Sequence, residues 1–333
     1  MVRIALDVMG GDHGPREVMA GALLALEEYE CHLALVGPEE VIATELKAFP
    51  KWPMDRTTIV HAPDIVGMAE SPSLAFRKKK NSSIQIGLNL VKDGQADAFV
   101  SAGNTGAVMA ASVLTLGRIE GVERPAIATI MPSTKGPFVM LDMGSTMDCK
   151  PQHLVQFAIM GHYFSRLILH TKNPKIALLN VGEEEDKGNQ STLEAYQLLK
   201  ALPEEFSFAG NIEGKEIIFG KADVVVCDGF VGNSLLKFGE GLVSLFMNFF
   251  KTEAKASFLS LLGVLLLKPA LKRFMKSFDY QEYGGAPLLG VNGVSMIAHG
   301  KSNRRAIKHA IRNGIQTVEQ DMVARIAKAV VQS

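Results

Sequence analysis

Cysteine is scarce. Cys31, Cys149 and Cys227 are the only three in 333 residues, and no two stand at a CxxC or zinc-ligand spacing. A disulfide-stapled secreted scaffold and a cysteine-rich metal site are thereby excluded. An excess of one charge is lacking as well: Lys+Arg and Asp+Glu both number 35, so the formal net charge is zero. A dedicated nucleic-acid binder needs a basic surplus to meet phosphates, so no nucleic-acid partner is expected. Long apolar runs are missing too. The longest nearly unbroken one covers residues 258–267, well short of the ~20 needed to cross a bilayer. The first residues turn polar after eight, which does not read as a secretory signal. The setting these absences lead us to expect is reducing and cytoplasmic. Familiar cofactor turns are also wanting. No GxGxxG follows a strand, and Gly300-Lys301-Ser302 resembles the end of a P-loop only until Ser295 is found where its first glycine belongs. With no HExxH or GxSxG either, a covalent serine or cysteine nucleophile is disfavoured.

What remains is a well-furnished globular chain, 47% hydrophobic and 21% charged and long enough for two cores. Apolar runs of four to six residues alternate with helical patterns. Strands are expected at residues 3–8, 32–36, 57–61, 96–100, 126–131, 139–142, 175–181, 223–228 and 293–298. Helices are expected at 17–29, 39–48, 83–91, 105–116, 151–169 and 191–201, from 230, and from 303 with an interruption at Gly314. This is the βαβ signature of an α/β fold. In such folds ligands lie beyond the carboxyl ends of strands. Polar motifs fall there six times: residues 7–12, 101–105, 142–145, 180–189, 228–233, and Asn292 with His299. One composite cleft is expected from them.

Each motif admits a chemical and a plain reading. Ser101-Ala102-Gly103-Asn104-Thr105-Gly106 joins a strand to a helix. It is either a phosphate cradle of free N–H groups or a simple capped turn. Glu183, Glu184, Glu185 and Asp186 precede Lys187, Gly188 and Asn189. They form either a solvated loop or a site in which Lys187 and Asn189 meet an anion, and the acids, with Asp12, Asp142 and Asp228, keep a Mg²⁺ site open. His13 follows Asp12 in a glycine-bounded loop. His299 precedes Lys301, Arg304 and Arg305, cations that an anion would favour at a helix start. The other six histidines read as packing or surface residues. Residues 251–276 carry six basic side chains and one acid, a net +5 against −5 elsewhere. Around the apolar run they suggest a dimer interface, a membrane-surface anchor or a docking patch.

Taken in order, the motifs resemble the PlsX family of bacterial phosphate acyltransferases. The resemblance rests on Asp7-Val8-Met9-Gly10-Gly11-Asp12-His13-Gly14-Pro15, Ser101 to Ala107, and Asn180-Val181-Gly182-Glu183-Glu184 with Lys187-Gly188-Asn189. Asp228-Gly229-Phe230-Val231-Gly232-Asn233 and Gly290-Val291-Asn292-Gly293 before His299-Gly300 complete it. It implies acyl transfer from acyl carrier protein to inorganic phosphate, without cofactor or metal, for phospholipid synthesis. It also implies a three-layer α/β/α fold of the isocitrate/isopropylmalate dehydrogenase kind, with two domains around a cleft, and a homodimer. The expected division is residues 1–125 with about 285–333, and 126–284. Under this resemblance Ser101, Gly103, Asn104, Thr105, Gly106, Asn233, Asn292 and His299 bind phosphate. Lys187 and Asn189 offset its charge or stabilise the oxyanion. His13 serves the carbonyl or the leaving thiolate, and Asp12 and Asp228 orient donors. Lys251, Lys255, Phe258, Leu262, Leu265, Lys268, Lys272 and Arg273 meet the carrier protein, the inner membrane face or a membrane acyltransferase. Three rivals stay in view: a short-chain phosphotransacetylase, a metal- and NAD-dependent decarboxylating dehydrogenase, and a non-catalytic membrane-surface scaffold.

Overall fold

The computed structural model describes residues 1–278 and 284–332. Two sheets organise it. The first has seven strands: β1 (Val2–Asp7), β2 (Cys31–Gly37), β3 (Thr57–His61), β4 (Ala98–Ser101), β5 (Ala126–Ile127), β11 (Ala286–Leu289) and β12 (Val294–Ile297). Their order is β3-β2-β1-β4-β12-β11-β5. From β3 to β12 the pairing is parallel, and β11 runs antiparallel to both its neighbours. The second sheet has β6 (Thr129–Ser133), β7 (Gly136–Leu141), β8 (Ile176–Asn180), β9 (Phe208–Glu213) and β10 (Val224–Val226), in the order β6-β7-β10-β8-β9. Central strands such as β4 and β10 are buried along their whole length, as strands covered on both faces must be.

Helices cover both faces of the first sheet. On one side lie α1 (Pro15–Glu28) and α10 (Arg304–Glu319). On the other lie α3 (Pro72–Lys78), α4 (Ser83–Lys92) and α5 (Thr105–Leu116), while α2 (Glu39–Leu46) packs beside α1. One face of the second sheet is covered by α6 (Pro151–Ile168), α7 (Gln190–Lys200) and α11 (Met322–Gln332). Its other face joins the α5 side of the first sheet in a shared core, where Val108 and Ala111 meet the cluster holding Phe138, Met140 and Val225. The fold is therefore layered α/β, with α5 standing between the sheets.

Three local expectations are corrected. The single strand at 126–131 is two strands in different sheets, because the chain crosses over at buried Ala128, whose N–H donates to the Pro287 carbonyl. β9, β11 and α3 escaped the pattern. β11 carries Pro287, which argues against a strand unless the neighbours tolerate the lost donor. Finally, α10 runs unbroken through Gly314, whose bare Cα lies against Met296, Ala98 and Ile4 of the sheet. The chain turns only after Glu319.

The return of the C-terminal segment to the first sheet is fastened by Glu17 of α1. Its carboxylate accepts from the Arg304 backbone N–H at 3.0 Å and from the guanidinium at 2.9 and 2.8 Å. Those hydrogen bonds lower its pKa from 4.5 to about 2. A lowered acid pKa stabilises the fold above the unfolded value, and that share is lost as pH falls through 4.5 toward 2. Glu17→Gln should flatten the loss of melting temperature across that window, by under about 1 kcal/mol for so exposed a pair. An unchanged acid limb would remove Glu17 from the acid response.

Candidate active site

At the carboxyl edge of the first sheet, Asp7 ends β1 with its carboxylate buried. It accepts from the Ser101 hydroxyl at 2.6 Å and the Met9 N–H at 3.0 Å. Burial raises its pKa, against the pull of those donors. Ser101 in turn accepts from the Gly103 N–H at 3.0 Å. The β1 loop and the β4 turn are thus locked together, so tightly that a Cβ on Gly10 would lie 2.6 Å from the Gly103 nitrogen and 2.9 Å from the Asp7 carboxylate. Asn104 caps α5 by accepting from the Ala107 N–H at 3.0 Å. Its amide donates to the Met68 and Glu70 carbonyls at 2.9 Å each, so the amide is spent on the 67–70 loop. The N–H groups of Thr105 and Gly106, in the first turn of α5, are the donors this turn leaves for an anion. Ser101, Gly103 and Asn104 carry the internal hydrogen bonds that build the turn.

Asp12 and His13 are exposed on the adjoining loop, and the Asp12 N–H donates to the Gly300 carbonyl at 2.7 Å. His299 is half-buried there. Its Nδ1 accepts from the Lys301 N–H at 3.1 Å. Burial lowers its pKa, aided by Lys237 of α8 (Gly229–Ala256). Asn292 does not share this edge. Because β11 is antiparallel, the Asn292 turn falls at the amino end of β12, where its N–H donates to the Gly117 carbonyl behind α5. Its expected place beside His299 is corrected accordingly.

The facing edge belongs to the second sheet. Asp142, fully buried, accepts from the N–H groups of Ile127, Gly144, Ser145 and Thr146 at 2.6–3.2 Å. Burial raises its pKa to about 6, with the Ser145 N–H the strongest opposing influence. Asp228 caps α8, accepting from the Phe230 N–H, and reaches back to the Cys149 N–H, both at 2.8 Å. Asn233, one turn into α8, packs against Gly144. Asn189 caps α7, accepting from the Thr192 N–H at 3.0 Å. Lys187, two residues earlier, is exposed and makes no ion pair among the described residues. Two of the four acids before it are drawn aside: Glu183 pairs with Lys221 at 2.7 Å and Glu185 with Lys200 at 2.9 Å. Among the described residues no three acidic, histidine or cysteine side chains converge as metal ligands. Asn189, Asp228, Lys150 and the starts of α6, α7 and α8 surround a cavity of about 600 Å³.

A second cavity, of about 680 Å³, runs along α5 between the sheets. One wall is the stripe Gly106, Met109, Ala110, Val113 and Leu114. The other is Ser145, Thr146, Lys150 and His153, and Arg118, Glu123 and Arg124 stand toward the far end of α5. Lys150 lines both cavities. His153 accepts the Lys150 N–H on Nδ1 at 3.1 Å, so its Nε2 carries the proton and donates to Glu123 at 3.1 Å. Burial lowers its pKa, against the pull of Glu123. Of these groove residues only Gly106 and Ser145 belong to motifs read from the sequence. The i, i+3, i+4, i+7 spacing of the α5 stripe suits a core as well as a cavity wall, and only the second wall turns it into a groove.

Farther out, α8 and α9 (Phe258–Phe278) form a helical hairpin with Phe238, Leu245, Phe246, Phe249, Phe258, Leu259 and Leu266 each more than half exposed. No described helix is long and apolar enough to cross a membrane. Phe258, Leu262 and Leu265 lie exposed along α9 with Lys268, Lys272 and Arg273, and Lys251 and Lys255 sit near the end of α8. The side chain of Lys276, from the same basic set, falls outside the described residues.

A family model described as fatty acid synthesis protein matches residues 2–325. The chain belongs to that family. Within this PlsX family it is 52% identical over 325 residues to a phosphate acyltransferase of Heliobacterium modesticaldum, covering 98% of this chain and 96% of that one. It is 49% identical over 329 residues to one of Pelotomaculum thermopropionicum, covering 99% and 95%. Among solved structures, a phosphotransacetylase from Streptococcus pyogenes superposes with a TM-score of 0.61 at 17% identity, over 100% of this chain and 94% of that one. At that identity the likeness is one of fold. All the PlsX motifs but the 290–293 turn thus fall at the carboxyl ends of strands of the two sheets.

Proposed function

We propose that this protein transfers a long-chain fatty acyl group from acyl carrier protein to inorganic phosphate, yielding an acyl phosphate for phospholipid synthesis. The observation that carries the proposal is the turn at Ser101–Gly106. In a chain of the PlsX family, the internal bonds of that turn leave the Thr105 and Gly106 N–H groups unused, and Gly106 lines the end of an inter-sheet groove. A helix start of this kind suits a phosphate dianion. One phosphate oxygen attacks the thioester carbonyl carbon, the C–S bond breaks, and the thiolate leaves and takes up a proton. Phosphate is itself the nucleophile, so holding it against the carbonyl is the main task. Lys187 and Asn189 face it from the second sheet and meet the oxyanion. His13 is the proton source for the thiolate. Asp12 orients its loop, and Asp228 holds the 142–150 loop against α8. Asn233 and His299 close the polar wall.

The test is direct. Long-chain acyl carrier protein and labelled phosphate are mixed with the protein in the presence of EDTA. Label in a hydroxylamine-sensitive acyl phosphate is expected. Absence of product, with Mg²⁺ restored and acetyl-coenzyme A also tried, would overturn the reading.

The hairpin needs a cover, since monomers rarely leave so large an apolar patch bare. We assign its phenylalanine-rich α8 face to a second copy of the chain. The α9 end with Lys268, Lys272 and Arg273 is assigned to an anionic membrane surface on the cytoplasmic side. Light scattering should give two copies for the wild type and one for Phe246→Asp combined with Phe249→Asp. Changing the three α9 cations to Glu should abolish flotation with anionic vesicles. A wild-type monomer would refute the first assignment, and unchanged flotation the second.

A further inference from the structure

We infer that the groove along α5 receives the phosphopantetheine arm of the acyl carrier, with the thioester at Gly106 and the phosphodiester at Arg118 and Arg124. This rests on the acyl-transfer reading above and assigns a direction within it. Two linear groups leave the reacting carbon, the acyl chain and the arm, and the groove's chemistry separates them.

Length and charge point the same way. The 12 residues of α5 span about 18 Å, comparable to an extended phosphopantetheine. The groove is apolar along Met109, Ala110 and Val113 and changes character toward its far end. Arg118 donates there to the Glu123 backbone carbonyl with one nitrogen and keeps its remaining N–H groups. Arg124 is exposed and has no hydrogen bond or ion pair among the described residues. The acid that lines that end, Glu123, is held by His153 at 3.1 Å, while Glu120 lies outside the cavity lining. Two guanidiniums therefore line the same end with the lining carboxylate already engaged, an arrangement suited to a phosphodiester. A methylene chain would gain nothing from them and would force their desolvation. The assignment also places the carrier protein at the amino edge of the first sheet, near the exposed Asn292 turn, rather than on the basic end of α9.

The test uses the full-length protein, inorganic phosphate and two small donors, palmitoyl-phosphopantetheine and palmitoyl-pantetheine. Wild type is expected to favour the phosphorylated arm in kcat/KM by at least about tenfold, the scale of one charge-assisted contact. That ratio should fall toward one in Arg124→Glu and in Arg118→Gln with Arg124→Gln. Arg124→Glu alters an exposed, unpaired side chain, so it tests the idea even if the double variant folds poorly. A wild type indifferent to the arm's phosphate, or variants that keep the full ratio, would overturn the inference. So would a change in acyl chain-length preference instead, which would assign the groove to the chain. If palmitoyl carrier protein itself yields no acyl phosphate, the acyl-transfer reading falls and this inference falls with it. Activity with the carrier but no discrimination between arms would overturn the inference alone.

Discussion

Replacing Gly232 by alanine should destabilise the protein by at least about 3 kcal/mol and remove most of its activity. Gly232 lies in the first turns of α8, and a Cβ there would overlap the backbone carbonyl oxygen of Asp142 and come within 3.0 Å of the Cys227 sulfur. Neither can yield. Asp142 is pinned by four backbone N–H groups, and Cys227 is buried at the end of β10. The helix would have to lift off the 142–146 loop, breaking the Asp228 bonds to Cys149 and Phe230 and carrying Asn233 away from Gly144. Gly214→Ala is the control. That glycine has open space around its Cβ position and no positive φ, so alanine there should stabilise by roughly 0.4–1 kcal/mol through the unfolded chain. Thermal melts of both variants decide the matter. A Gly232→Ala protein melting with the wild type would show that α8 and the loop are not the tight junction described.

The same junction shows what could be read from the sequence. Asp228-Gly229-Phe230-Val231-Gly232-Asn233 was legible as a motif after a strand, because strand and helix periods flank it. Its physical reason was not legible, since the Asp142 carbonyl it presses against lies 90 residues away along the chain. Asp142 itself was read as a carboxylate available to a ligand, whereas the structure engages it with backbone donors. Asn292 is grouped with His299 in the sequence, yet it precedes β12 while His299 follows it, so the two lie at opposite ends of one parallel strand. The parallel strands around β1 and β4 came through well because each is apolar along its length and bounded by Gly or Asp. The α5 groove could not come through, since a helix stripe reads alike whether it meets a core or a cavity.

Lys187→Ala is expected to lower kcat/KM for phosphate by on the order of 10²–10³, the scale of removing one donor from an oxyanion site, while leaving the melting temperature unchanged. The two halves of this prediction have separate causes. The loop does not depend on the ammonium. Its shape comes from the Lys187 backbone, whose N–H reaches the Glu184 carbonyl at 3.3 Å and whose carbonyl accepts the Asn180 amide at 2.9 Å. The side chain is exposed and makes no ion pair among the described residues, so truncating it removes no native contact of that kind. Activity should depend on it because Glu183 and Glu185 are neutralised by Lys221 and Lys200. The ammonium makes no ion pair among the described residues and stands one residue before Gly188 and two before the Asn189 cap, with Glu184 and Asp186 the remaining unpaired acids beside it. A dianionic nucleophile gains most from such a charge. Lys187→Arg keeps the charge but spreads it over a larger, planar group, and should recover part of the rate through a lower KM for phosphate. A stable alanine variant with near-normal turnover would remove Lys187 from the reaction and leave Lys150, which lines both cavities, as the cation to test next.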